Sequence, residues 1–405
     1  MKKKSPEKVK PSLFSVIVFI TLIKIYVFFS MRVTYDRKAL RNRPKRGSIL
    51  IYNHYSNKDH FLITSAIGYR RINYVLSGYF YYNPKLVKFL NFVRAIKKEQ
   101  FKPDLLAIRK IKKVIDQKGL VAISPTGQVS IHGNSTYISP AIIKLIRFCN
   151  CDVIGLQIRG SHLCYPKWRT SERRCRIDTK FVVVLTKEEI PTLTDEEIYE
   201  RVAQSIDIRE YEDQKVMKRV IKGEGLMEGL ENVLVVCPKC HQKYTNVVNK
   251  NEMKCTNCGN HVRMDQYGFL HGVTPEDKCF FSEVEWYEYQ KEFFRKALHE
   301  PDFKLQNQVD LFSNIKSQTT LDYVGSGVIT LTNSELFYEG TIAEEKVVKY
   351  FKLDQLTQLP FAPASHFEVP DYDASFKFVP TDNIKGVMEW VIAIDIMHEE
   401  RHGNK

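Results

Sequence analysis

A histidine and a carboxylate stand five residues apart in Asn53-His54-Tyr55-Ser56-Asn57-Lys58-Asp59, directly after the apolar run Ile49-Leu50-Ile51-Tyr52. The run reads as a buried strand. If the chain leaves it at Tyr52 and turns toward a helix near Asp59, the carboxylate folds back and accepts the Nδ1 proton of His54. Nε2 is then free to take a proton from a bound hydroxyl. A carboxylate in that place fixes the tautomer and stabilises the imidazolium that forms. No serine nucleophile is needed if the hydroxyl belongs to the substrate, so the chemistry implied is direct transfer onto an alcohol. The competing reading is a surface or capping histidine, the commoner fate of a loop His beside an Asp.

A second constellation is metal chemistry. Cys237-Pro238-Lys239-Cys240 and Cys255-Thr256-Asn257-Cys258-Gly259 are two Cys-x-x-Cys knuckles with fourteen residues between them. Four thiolates from two tight turns surround one Zn²⁺ tetrahedrally, and Gly259 suits the positive φ of such a turn. A closed four-sulfur shell leaves no place for water, so the expected zinc is structural. Two disulfides are the alternative, but the cysteine total of nine is odd and nothing else suggests secretion. Cys149, Cys151, Cys164, Cys175 and Cys279 show no comparable spacing and read as ordinary buried thiols. His241 and His261, beside the knuckles, read as neighbours rather than ligands.

The elements that must position these groups follow from periodicity. Strand and helix signals alternate from Ser48 to about Leu185: strands at 48–52, 73–76, 92–96, 119–123 and 153–158, a helix after Asp59, and another from Pro103 to Gln117. That alternation predicts an α/β domain. Thr194 and Glu197 have capping-box spacing and open a further helix toward the knuckles. Beyond them, Glu283 to His299 reads as a helix. The last hundred residues read as strands closed by a helix over Asn383 to Glu399.

Asn53-His54-x-Ser56-x-x-Asp59 resembles the first signature of the glycerolipid acyltransferases typified by 1-acylglycerol-3-phosphate acyltransferase. The likeness continues along the chain. Phe92-Val93-Arg94-Ala95-Ile96-Lys97-Lys98 is similar to the family's second motif, an apolar run ending in a basic residue. The strand Gly119 to Ile123 runs into Ser124-Pro125-Thr126-Gly127-Gln128-Val129-Ser130, where the family carries Phe-Pro-Glu-Gly-Thr-Arg; Thr126 replaces its Glu and Val129 its Arg. Cys151 to Leu156 is similar to the fourth motif without its prolines. A Gly160-Ser161-His162-Leu163 and Pro166-Lys167-Trp168 segment ahead of a zinc ribbon is similar to one subgroup of the family.

The resemblance implies His54 as base and Asp59 as its orienting partner. It implies acceptor contacts from Asn53, Arg94, Lys97, Lys98, Thr126 and Gly127. Val129 cannot offer the bidentate grip on phosphate that an arginine would, so acceptor charge falls to the lysines, which bind phosphate as point charges. It further implies an acyl-CoA or acyl-carrier-protein thioester as donor and a lysophospholipid acceptor, most naturally 1-acylglycerol-3-phosphate. The C-terminal strands and helix weakly resemble pleckstrin-homology-like domains.

Charge is split along the chain. Residues 1–183 hold 36 Lys and Arg against 9 Asp and Glu, a net +27, and the rest holds 25 against 38, a net −13. A basic body favours nucleic acid or anionic lipid. The N-terminus decides for lipid: Ser12 to Met31 is an apolar stretch broken by Lys24, with Lys2, Lys3, Lys4, Lys8 and Lys10 before it and Arg32, Arg37, Lys38, Arg41, Arg43, Lys45 and Arg46 after it. Both flanks are positive, which gives no crossing direction, so a helix that enters or lies in the cytoplasmic leaflet, its flanks on anionic head groups, is expected over a full span, with a buried core helix as the alternative. The resemblance adds a bacterial plasma membrane as the setting.

The expected division is a basic, membrane-associating segment at 1–46, an acyltransferase domain at 47–190, a helical linker at 191–232, a zinc ribbon at 233–272, a helical connector at 273–304 and a β-rich domain at 305–405. The function expected is a membrane-associated O-acyltransferase of phospholipid synthesis. The alternative is a lipid-binding adaptor that keeps the fold without turnover. Nucleic-acid binding suits the charge but leaves the apolar N-terminus and the His-Asp motif unexplained.

Overall fold

The computed structural model describes residues 9–41, 46–100, 103–317, 319–371 and 374–403. Of the basic N-terminal flanks, Lys2, Lys3, Lys4, Lys8, Arg43 and Lys45 lie outside the described residues. The chain divides into two compact units, one of residues 1–99, 103–166 and 174–220, the other of 100–102, 167–173 and 221–405.

The first unit is α/β. Its strands are β1 (Arg32–Asp36), β2 (Ser48–Tyr52), β3 (Ile72–Ser77), β4 (Ile96–Lys98), β5 (Leu120–Ile123), β6 (Asp152–Arg159) and β7 (Arg176–Leu185), in the order β1-β7-β6-β2-β5-β3-β4. All neighbours pair in parallel except β6 with β7. The central strand β2 (Ser-Ile-Leu-Ile-Tyr) is buried along its whole length, the continuous apolar run expected when both faces of a parallel sheet are covered. Its helices are α1 (Leu13–Ser30), α2 (Asp59–Ile67), α3 (Pro84–Phe92), α4 (Leu105–Asp116), α5 (Ala141–Cys149), the short α6 (Ser161–Cys164), α7 (Asp195–Ile206) and α8 (Glu210–Met217). One face of the sheet is packed by Ala107, Ile111, Val114 and Ile115 of α4, Ile142 and Ile146 of α5, and Ile198, Val202 and Ile206 of α7. Thr194 and Glu197 make the expected capping box at the start of α7.

Two expectations change. The strand expected at 92–96 begins only at Ile96, because α3 runs to Phe92 and the chain turns through Arg94 at φ 53 before pairing with β3. Cys164 and Cys175 are not free thiols; they form a disulfide with Cα atoms 5.8 Å apart. Their eleven-residue separation carries no signal, since only the return of the chain into β7 brings the second cysteine back to α6.

The second unit holds a four-stranded antiparallel ribbon of β8 (Asn246–Asn249), β9 (Glu252–Cys255), β10 (His261–Met264) and β11 (Leu270–Gly272). The helix α9 (Glu283–Leu298) follows. Then come β12 (Lys304–Ser313), β13 (Asp322–Thr332), β14 (Leu336–Ile342), β15 (Glu345–Phe351), β16 (Phe361–Ala362), β17 (His366–Pro370) and β18 (Ser375–Pro380). These run antiparallel in the order β15-β14-β13-β12-β18-β17-β16, and a final helix, α10 (Val387–His402), ends the unit. Trp390 of α10 is fully buried and stacks on Phe367 of β17 with ring centroids 4.9 Å apart. Strands closed by a helix match the reading of the last hundred residues.

Candidate functional site

Parallel pairing puts the C-terminal ends of β2, β5 and β6 at one edge of the sheet, where side chains on the exiting loops converge. His54 leaves β2 there. Its Nδ1 lies 2.8 Å from Oδ2 of Asp59, the first residue of α2. The same oxygen accepts from the backbone N–H of Tyr55 at 3.0 Å and of Ser56 at 3.1 Å. Three donors converge on this one oxygen and fix the carboxylate in place. Asp59 is buried, while the His54 side chain keeps 26 % exposure. The ring therefore presents Nε2 outward as an acceptor once Nδ1 carries its proton toward Asp59.

Neighbouring backbone holds this geometry. Ser56 Oγ accepts from Lys58 N at 2.9 Å, tightening the turn into α2. The His54 carbonyl accepts from Ser130 N at 2.8 Å, tying the loop after β5 to the histidine. Tyr55 is anchored by its hydroxyl, which donates to the Ile208 carbonyl and lies 3.0 Å from Ser135 Oγ. The Ser130 and Tyr55 supports have no sequence signal, because their partners lie far along the chain, whereas Ser56 belongs to the His-Asp motif itself.

The other expected site residues distribute unevenly. Asn53 is buried and both its amide atoms are engaged by Ile158 of β6, Nδ2 to the carbonyl and Oδ1 from the N–H, each at 2.8 Å. It clamps β2 to β6. Thr126 is buried with its hydroxyl 2.9 Å from Ser124 Oγ and donating to the Gln128 carbonyl at 3.1 Å. Gly127 takes φ 73, which its lack of a Cβ permits, and is exposed at the loop tip. Lys97 and Lys98 lie on β4, at the same edge but three strands from β2, roughly 14 Å away at ordinary strand spacing. Lys97 pairs with Glu99 at 2.7 Å, and Lys98 Nζ donates to the Glu99 carbonyl at 2.9 Å. Burial pulls the Lys98 ammonium below its ordinary pKa. Arg94, in the turn before β4, is exposed.

Behind the loop after β5 sits a buried acidic residue that sequence reading missed. Glu210, the first residue of α8, is fully buried, and no side chain hydrogen-bonds to its carboxylate among the described residues. Desolvation pushes it up to about 7, against the pull of His162 and Arg219. Its N–H donates to the Gly133 carbonyl, and a Cβ on Gly133 would strike the His162 ring. The only cue in the sequence was an acidic first turn of a helix, which ordinarily means exposure.

Packed beside the dyad is α1. Tyr26 lies 5.2 Å from Phe61 ring to ring, and its hydroxyl is 3.4 Å from Lys58 Nζ. Ile20, Ile23, Val27 and Met31 are buried, whereas the opposite face leaves Phe14, Leu22, Phe28 and Phe29 in the open. Lys24, the charge that broke the apolar run, lies over the ring of Tyr69 at 4.0 Å. Among the described residues no helix is long and apolar enough to cross a membrane.

In the second unit the four knuckle cysteines come together. Their sulfurs all lie within 4.8 Å of one another, with Cys237 to Cys258 and Cys240 to Cys255 each 3.7 Å. A tetrahedron with Zn–S bonds of about 2.3 Å has edges of about 3.8 Å, so this set fits zinc. The residues that follow the second cysteine of each knuckle, His241 and Gly259, both take positive φ, 61 and 75. Thr245 Oγ1 lies 3.2 Å from Cys255 Sγ. His241 faces Tyr289 and His261 faces Glu252, so neither joins the sulfurs.

No protein-family model matches the chain, and no curated protein matches it. Among solved structures it is similar to a 1-acyl-sn-glycerophosphate (LPA) acyltransferase, PlsC, from Thermotoga maritima, at 16% identity and a TM-score of 0.42, over 50% of this chain and 80% of that one. So loose a likeness leaves the functional reading to the geometry of the site.

Proposed function

We propose that the chain is an O-acyltransferase that moves a fatty acyl group from a thioester onto the free hydroxyl of a lysophospholipid at a membrane surface, with 1-acylglycerol-3-phosphate as the first acceptor to try. The observation that carries this reading is the His54–Asp59 pair, its carboxylate held by two main-chain N–H donors and set beside a helix whose outer face is apolar.

In the reaction, His54 Nε2 takes the proton of the acceptor hydroxyl as its oxygen attacks the thioester carbonyl. Asp59 balances the imidazolium through Nδ1–H. The tetrahedral intermediate collapses with breakage of the carbon–sulfur bond, and the imidazolium returns the proton to the departing thiolate. Ester and free thiol result, with no covalent enzyme intermediate. The donor would be acyl-CoA or acyl carrier protein, whose acidic surface suits the basic first unit. Zinc on the four cysteines would fold the ribbon and take no part in transfer.

A second reading has its own observation. Thr126 and Val129 bring no charge to the loop after β5, and Lys97 and Lys98 are both engaged by Glu99. This favours a lipid-binding adaptor without turnover. Purified protein given labelled acyl-CoA or acyl carrier protein and a panel of lysophospholipids separates the two. Transfer that is lost in His54→Ala supports the enzyme; no transfer from folded, zinc-loaded protein with either donor supports the adaptor.

A further inference from the structure

We propose that α3 is a second lipid-seated element, which with α1 forms one apolar face turned to an anionic bilayer. The inference rests on the reading above that α1 lies on a lipid surface, and extends it to a helix that the sequence did not mark.

On α3, Leu90 is buried at 4 % while Phe89 and Phe92 are 38 % and 55 % exposed. The helix is capped by Asn83, whose side chain accepts from Lys85 and Leu86, and opened by Pro84, so its outward aromatic face belongs to a well-formed element. The two helices meet at Phe19 and Phe89, with ring centroids 5.1 Å apart. From there the apolar surface runs along α1, where Phe14 and Phe28 are each 80 % exposed. Large apolar patches of this kind mark interaction surfaces.

Charge selects the occupant. Residues 8–35 and 60–98, which contain both helices, hold no Asp or Glu. They carry Lys85, Lys88 and Arg94 on and after α3 and Arg32 after α1, all exposed. A second copy of this chain seated on the same face would set these cations against one another. An anionic lipid surface would take the rings into the acyl boundary and the cations onto its head groups.

The test is flotation of the full chain with phosphatidylcholine vesicles and with vesicles also containing phosphatidylglycerol. We expect anionic vesicles to carry the protein, with salt weakening the association. The double variant Phe89→Ser/Phe92→Ser should lower partitioning by about tenfold or more. Val216→Ser, an exposed apolar position on α8, should leave it unchanged. The variant Phe92→Trp keeps the apolar surface and guards against misfolding of the double variant; brominated lipid should quench its fluorescence more than that of wild type. Flotation of the double variant equal to wild type, absence of added quenching in Phe92→Trp, or a stable dimer that loses Phe92 exposure would each overturn the proposal. Flotation requires no turnover, so a failed transfer assay leaves it standing, and failed flotation leaves the transfer result standing.

Discussion

At the scale of single residues, the dyad is described by what each atom already does. Asp59 Oδ2 accepts three hydrogen bonds, one from His54 and two from main chain. Asp59→Asn would present an amide to those donors and reverse the preferred His54 tautomer. Acyl transfer should fall by roughly three orders of magnitude with little change in acceptor KM, measured by steady-state kinetics across acceptor concentration. Glu210 allows a second prediction. Burial raises it from an ordinary value of 4.5 to about 7. The folded state thus holds a proton that the unfolded chain releases at lower pH, so this group's contribution to stability is full below about pH 4.5 and is lost as pH rises through 7. The full loss is roughly 3 kcal/mol. Glu210→Gln cannot titrate, so urea melts should show it gaining on wild type between pH 5 and pH 8; parallel pH profiles would refute the assignment.

Elements show how much was readable locally. The capping box of α7 was legible because Thr194 and Glu197 lie within one helical turn; Thr194→Ala should cost about 1 kcal/mol in a denaturant melt. The ribbon was legible from two knuckles, since each needs only a tight turn. Its strands have three or four residues, and its interior offers few large side chains, among them Met253, Val262, Met264 and Leu270. So small a core depends on its metal. One zinc per chain is expected by elemental analysis, and Cys240→Ser or a strong chelator should unfold the ribbon first, seen as loss of amide protection in β8 to β11. The boundary of β4 was misplaced because Phe92 and Val93 are apolar in either state. What separates helix from strand there is the Asn83-Pro84 start and the left-handed turn at Arg94, and the turn is visible only in the folded backbone.

Across the whole molecule, the N-terminal run was legible as apolar, but only the fold divides it into a buried stripe on α2 and an open face. The disulfide belongs to this scale as well. The chain leaves the first unit after Pro166 and returns at Arg174, and Cys164 and Cys175 join the two passages. Closing eleven residues in this way contributes about 3 kcal/mol in the chain-entropy picture, so Cys175→Ser should lower the stability of the first unit by that order in a chemical melt. By itself, the sequence determined the charge split and the features held within a turn or two of chain: the His54–Asp59 spacing, both Cys-x-x-Cys knuckles and the Thr194–Glu197 capping box. Tertiary structure decided the strand order, the Ser130 bond to His54, the burial of Glu210, the Cys164–Cys175 pair and the joining of α1 to α3. The physical reason is that short spacings are set by covalent geometry, whereas distant partners are chosen by competition among many closures of the chain, settled only when the core is packed.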